Sequence, residues 1–163
     1  MDVADADIPE AGFGVVPLDQ VRTMDGMTLF REIMAGRLPA PPMSRTLGMS
    51  LLEIEQGRVV FGYEPVFDHY NPLGSVHGGI AATLLDSVMG CSVHTQLKAG
   101  IGYTTVEIKI NYVRAMTDKT GRVRAEGKVI NLGSRIATAE GRLTDAAGKL
   151  LAHGTTTCLL FPI

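Results

Sequence analysis

The chain has 163 residues, 45% of them apolar and 20% charged, which suits one globular domain with a core of its own. A formal charge of −2 with scattered basic residues gives no electrostatic reason to expect nucleic acid or an anionic membrane surface as a partner. Its two cysteines, Cys91 and Cys158, stand in neither a metal-type nor a redox-type spacing, so no metal is expected and both read as buried small hydrophobes of a reducing compartment.

The chain opens Met-Asp-Val-Ala-Asp-Ala-Asp, which lacks the basic start and apolar run of a secretion signal, and a cytoplasmic protein is the expectation. Through about residue 22 no period is sustained, and the stretch reads as a mobile arm. A short helix is expected between Asp25 and Gly36, capped by Asp25 or Thr28, with Phe30, Ile33 and Met34 as its apolar stripe. Pro39, Pro41 and Pro42 then read as an extended connector. Met24, Met27, Met34, Met43 and Met49 fall in this region; adaptable thioethers suit a surface closing over varied apolar ligands, although core filling is the simpler account. Residues 1–40 are therefore taken as an arm with a short helix, and residues 41–163 as the main domain.

Residues 49–55 and 58–64 read as strands separated by Gln56-Gly57, with Val59, Phe61 and Tyr63 on one face. The loop Asn71-Pro72-Leu73-Gly74-Ser75-Val76 leads into His77-Gly78-Gly79 and a helix whose apolar residues Ile80, Ala81, Leu84, Leu85, Val88, Met89 and Val93 recur three and four apart. This helix is expected to close near Lys98, with Gly100 as its stop. After it, Val106, Ile108, Ile110 and Tyr112 alternate with Glu107, Lys109 and Asn111, as in a half-buried strand with a wet face. Residues 120–129, 135–144 and 149–161 complete the strands, and Asp118 to Gly121, Asn131-Leu132-Gly133 and Asp145-Ala146-Ala147-Gly148 supply the turns. The economical solution is α+β, an antiparallel sheet wrapped around one long helix. One helix cannot cover six strands, so a second copy should bury the remaining edge and face, giving a homodimer.

Asp86 near the middle of that helix, with Ser87, Gly90 and His94 after it, argues against a membrane span. A carboxylate on a buried helix is costly unless paired, hydrogen-bonded or kept for chemistry. On the helix alone a satisfied structural Asp is the more ordinary reading, but the residues upstream shift the balance. Two glycines at the helix start allow close approach to the backbone, and first-turn N–H groups lack intrahelical partners while the helix dipole favours negative charge there. This is a natural oxyanion site, to which Asn71 can add a side-chain amide. Asp86 follows His77 by nine residues, and two turns of helix place it about 12 Å along the axis, too far for direct cooperation within one chain. A base for a carbonyl held at His77-Gly78 could come from a partner subunit.

Asn71, the His77-Gly78-Gly79 triplet, Asp86 and the strand Thr104-Thr105-Val106-Glu107-Ile108-Lys109-Ile110-Asn111-Tyr112 together resemble the hotdog-fold acyl-CoA thioesterases, specifically their phenylacetate-pathway-like branch. The likeness runs from about residue 41 to the C-terminus and includes Leu47-Gly48-Met49. It implies the hotdog fold, a dimer of dimers, and hydrolysis of an acyl-CoA thioester to free acid and CoA with no cofactor, CoA being part of the substrate. Under it, the Gly78 N–H and Asn71 hold the carbonyl oxygen, and Asp86 acts as general base or as nucleophile. Thr105 matches a small hydroxyl that places the water, with Thr104 an equally near neighbour. His77 either contacts the thioester, buttresses the loop or caps the helix. CoA is expected at Gly79 and at the turn Gly133-Ser134-Arg135, with Arg135 on phosphate. Many relatives have two basic residues in that turn, whereas here Ser134 precedes Arg135. Arg45 is a second phosphate candidate, and a solvated surface charge is its plainer reading.

Two alternatives share the fold. Hotdog enoyl-CoA hydratases carry Asp, then Asn-Pro, then His; Asp68-His69-Tyr70-Asn71-Pro72-Leu73 has one extra residue, and Gly74 stands where their His would be. A non-catalytic acyl-CoA-binding sensor would need a DNA-reading helix pair, and the first 45 residues offer one short helix and no basic stripe.

Overall fold

The structure is a computed structural model and describes residues 10–163. Three helices come first: α1 (Leu18–Val21), α2 (Gly26–Met34) and α3 (Pro42–Leu47). Strands β1 (Met49–Glu55) and β2 (Arg58–Tyr63) follow, then the long helix α4 (Gly78–His94) and β3 (Ile101–Tyr112), β4 (Val123–Leu132), β5 (Ile136–Thr144) and β6 (Leu150–Pro162). The six strands form one antiparallel sheet in the order β1-β2-β4-β5-β6-β3. This is the α+β wrap of sheet around helix that the element order implies.

Helix α4 is apolar nearly all round, and Leu84, Leu85, Val88, Met89 and Val93 are fully buried against the sheet. The strands meet it with small residues: Ala125 and Gly127 on β4, Ala139 and Gly141 on β5. At Gly127 an added Cβ would collide with the Val88 carbonyl, so the helix backbone lies almost on the strand there.

Several boundaries differ from the sequence reading. Helix α4 ends at His94 because Gln96 and Leu97 turn back with three-residue hydrogen bonds to Val93 and His94, four residues before Lys98. β4 runs through Asn131 and Leu132, past a register shift between Val129 and Asn131, leaving Gly133-Ser134-Arg135 as the turn. Pro42 opens a helix instead of extending the connector: proline suits the first helical position, and Gly48, with φ of +63°, ends α3 in the left-handed region.

The stretch through residue 22 was expected as a mobile arm, and residues 1–9 of it lie outside the described residues. Residues 10–22 carry α1 and are tied down by the Ala11 N–H to the Gly36 carbonyl and the Gly14 N–H to the Ala40 carbonyl, both 2.9 Å. Asp25 is the cap of α2, accepting the Thr28 N–H at 2.9 Å. Helix α2 docks on the end of α4, where the Phe30 ring meets His94 edge-on at 5.5 Å. The methionines do not form one surface: Met49 is core, whereas Met34 and Met43 are exposed.

Candidate active site

Helix α4 starts at Gly78 with His77 as its cap. The His77 Nδ1 accepts the Gly79 N–H at 2.9 Å, and the Ile80 N–H reaches the His77 carbonyl at 3.0 Å. The Gly78 N–H is left as the first-turn donor without a hydrogen-bond partner among the described residues. Of the roles open to His77 in the sequence, the structure displays the cap, and Gly79, a candidate for CoA, has its amide occupied by that cap.

Asn71 shapes the preceding loop. Its Oδ1 accepts the N–H groups of Leu73 (2.9 Å) and Ser75 (3.4 Å), an Asx turn, while its Nδ2 donates to the Ser75 Oγ at 3.1 Å. One N–H of the amide remains for another acceptor. Asn71, Gly78, Tyr112, Arg114 and Met116 line a shared cleft of about 300 Å³. The oxyanion candidates are thus brought together.

Asp86 is not in that cleft. It lies half-buried further along α4 and accepts the Thr105 Oγ–H on its Oδ1 at 2.9 Å. The ambiguity between Thr104 and Thr105 resolves through a bulge: register shifts between Thr105 and Glu107, with Val106 unpaired, so Thr105, Ile108, Ile110 and Tyr112 all turn toward the helix side. Unbroken alternation would have put Thr105 on the opposite face with Glu107 and Lys109. Sequence reasoning treated Val106 as one of the buried residues of this strand, yet it is 56% exposed. Beside Asp86, burial and then the Asp86 charge push the Cys91 thiol up to about 12. Burial likewise raises Tyr103 and Cys158. Both thiols therefore stay protonated and poor nucleophiles at neutral pH.

The CoA candidates separate. The turn Gly133-Ser134-Arg135 is exposed, fixed by the Gly133 N–H on the Ile136 carbonyl and the Leu160 N–H on the Arg135 carbonyl, both 2.8 Å. Arg135 forms no ion pair among the described residues. Register carries this turn to the Thr105 end of the sheet: Ala137 pairs with Cys158, and Cys158 with Thr105. Arg45 sits over the Phe13 ring at 5.7 Å, just ahead of Met49, which lies opposite Tyr63 and through it Val123 at the start of β4. The length of β4 sets it roughly 30 Å from Arg135, so the two arginines cannot grip one phosphate within a chain.

Elsewhere, His69 is bonded through Nδ1 to the Tyr63 hydroxyl at 2.8 Å, and Asp68 is exposed on a 3-10 turn (Phe67–His69), so this segment presents no paired acid and base. Among the described residues no three His, Cys, Asp or Glu side chains gather as metal ligands, and no helix is long and apolar enough to cross a membrane.

Comparison with known proteins adds to this geometry. A model of the Thioesterase superfamily matches residues 73–152, which span the Gly78 helix start, Asp86 and Thr105. Human acyl-coenzyme A thioesterase 13 is 29% identical over 130 residues, covering 78% of this chain and 91% of that protein. A solved protein of the thioesterase superfamily is 33% identical with a TM-score of 0.68, covering 82% of this chain and 97% of its own. A phenylacetic acid degradation-related protein from Ralstonia eutropha superposes with a TM-score of 0.73 at 26% identity, over 80% of this chain and 98% of that one.

Proposed function

We propose that this protein, which belongs to the thioesterase superfamily and is a hydrolase of acyl-CoA thioesters, builds each active site from two copies of the chain. The observation that carries this reading is the placement of two half-sites at opposite ends of one free edge strand. Asp86 touches Thr105 near the start of β3, and Gly78 touches Tyr112 at its end. β3 is the sheet edge, pairs only with β6 among the described residues, and exposes Val106, Ile108 and Tyr112. An unpaired strand of this length presents a row of open backbone donors and acceptors and invites a second strand. Antiparallel pairing of β3 with its own copy, centred near Ile108, sets Thr105 opposite the partner's Tyr112. Asp86 then faces the partner's Gly78 cleft, and two equivalent sites arise from one two-fold axis.

In such a site the thioester carbonyl oxygen accepts from the Gly78 N–H and the Asn71 Nδ2 of one chain. Asp86 of the other takes a proton from a water molecule whose oxygen adds to the carbonyl carbon. The Thr105 hydroxyl, bonded to one carboxylate oxygen, holds Asp86 in place and leaves the second oxygen for the water. Negative charge collects on the carbonyl oxygen, beside unpaired donors and the positive helix end. Collapse breaks the C–S bond, the proton held on Asp86 passes to the departing sulfur, and the free acid and CoA thiol leave with the carboxylate restored. The reaction needs only water and substrate, and no cofactor is assigned. Arg135 in its exposed turn is the phosphate contact, and Ser134 and Gly133 shape that turn.

The assembly inferred is a homodimer through β3, and its pairing into a dimer of dimers rests on the resemblance alone. A cytoplasmic location accords with the two free thiols, Cys91 and Cys158. Release of CoA thiol from a panel of aromatic, short and medium-chain acyl-CoAs tests the reading. Wild type should hydrolyse at least one class, and Asp86→Asn should retain fold while losing about a hundredfold or more in kcat. Wild-type turnover in a folded Asp86→Asn protein would remove Asp86 from the chemistry.

A further inference from the structure

We infer that Tyr112 supplies a further donor to the thioester carbonyl, through its phenol hydroxyl; this role rests on the hydrolytic reading above and deepens it. The chain has four tyrosines. Two have committed hydroxyls, Tyr63 to His69 and Tyr70 to Asp118, both at 2.8 Å, and the Tyr103 ring packs away from the cleft against Gly90 and His94. The Tyr112 hydroxyl has no partner among the described residues, and the side chain is 60% exposed in the single chain.

Its position is specific. Tyr112 ends β3 opposite Ala152 and shares the cleft with Asn71 and Gly78. A Cβ placed on Gly78 would lie 3.2 Å from the ring Cε1, 3.4 Å from Cζ and 3.5 Å from the hydroxyl oxygen. The ring therefore packs against Gly78, whose amide has no partner among the described residues, and a side chain at position 78 would push it away. A carbonyl oxygen bonded to the Gly78 N–H enters the space the phenol borders, where an O–H donor at ordinary hydrogen-bond length reaches it. Under the two-fold pairing of β3 proposed above, this end of the strand is the one that meets the Thr105 end of the second copy. The hydroxyl is placed where charge develops during attack, and a donor fixed there acts on the transition state more than on the bound substrate. No bond to Tyr112 is made or broken.

Tyr112→Phe keeps the ring against Gly78 and removes only the donor. On an acyl-CoA that wild type hydrolyses, the variant should lose about tenfold or more in kcat with KM within about twofold, at an unchanged Tm. Wild-type kcat in Tyr112→Phe, or a loss confined to KM, would overturn the donor role. Running Asp86→Asn beside it separates the two claims. A large loss in Asp86→Asn with none in Tyr112→Phe overturns Tyr112 and leaves the Asp86 reading standing. A loss in Tyr112→Phe with full turnover in Asp86→Asn overturns the Asp86 base and leaves Tyr112 as a donor to the carbonyl.

Discussion

Thr105 gives its hydroxyl hydrogen to Asp86 across the gap between β3 and α4, at 2.9 Å, and it can do so because Val106 bulges out of the ladder with β6. A hydrogen bond to a charged carboxylate contributes on the order of 1.5–3 kcal/mol when its donor is lost from a site that depends on it. Thr105→Val should therefore lower kcat by roughly tenfold or more, while Thr105→Ser, which keeps the hydroxyl, should remain close to wild type. Thr104→Val serves as the control on the opposite face. Equal losses at Thr104 and Thr105 would show that β3 was perturbed as a whole.

Asn71 has two jobs that substitution can separate. Its Oδ1 holds the Asx turn through Leu73 and Ser75, and the residue lines the cleft shared with Gly78, with one N–H of its Nδ2 left beyond the bond to the Ser75 Oγ. Asn71→Asp keeps the turn acceptor but removes the amide donor and sets a negative charge beside the forming oxyanion. The expected loss is about a hundredfold or more in kcat/KM, with Asn71→Ala less affected in rate but lower in Tm. Near wild-type turnover in Asn71→Asp would confine Asn71 to shaping the loop.

Much of this arrangement was legible in the sequence, and the parts that were not have local causes. The apolar spacing along α4 marked the core helix, Asp86 stood out as the carboxylate on it, and the Asp25 cap was one of two named. A bulge inverts the face of every residue on one side of it without leaving a compositional mark, so the choice between Thr104 and Thr105 had no sequence solution. The prolines before α3 were ambiguous for a similar reason: Pro41 and Pro42 fit an extended connector and a helix start equally, and only tertiary contacts decide. Tyr112 read as one more apolar residue of an alternating strand, because nothing in its own neighbourhood signals that its ring rests on Gly78.

The grip on CoA is predicted to reside at one arginine. Arg135→Ala should raise KM for acyl-CoA severalfold while leaving kcat within about twofold, because phosphate lies far from the reacting carbonyl and is held equally before and during reaction. Added salt should shrink the difference between variant and wild type. Arg45→Ala, at the other end of the sheet beside Phe13, should leave kinetics at low and high salt indistinguishable from wild type unless Arg45 reaches substrate bound to another chain.

Stability should depend on pH through His94. Burial near the rings of Phe30 and Tyr103 holds its pKa below the ordinary 6.5, so the unfolded chain binds this proton more readily than the folded one. Its contribution is fully present above 6.5 and is lost as pH falls through that value toward the lower folded pKa. Wild-type Tm should drop between about pH 7.5 and 5.5, and His94→Gln should show a flatter profile over that window. Parallel profiles would place the pH dependence elsewhere.

The central claim is that Asp86 serves the Gly78–Asn71 cleft of another chain, and subunit mixing tests it most directly. Asp86→Asn and Asn71→Asp proteins, each expected to be nearly inactive, are unfolded together, refolded as a mixture and resolved by mass to confirm hybrids. In a hybrid, one site has both damaged halves and the other has neither. Random pairing makes half the dimers hybrid, so the mixture should recover about a quarter of wild-type activity. Confirmed hybrids that stay as inactive as their parents would contradict the shared site and return the chemistry to a single chain.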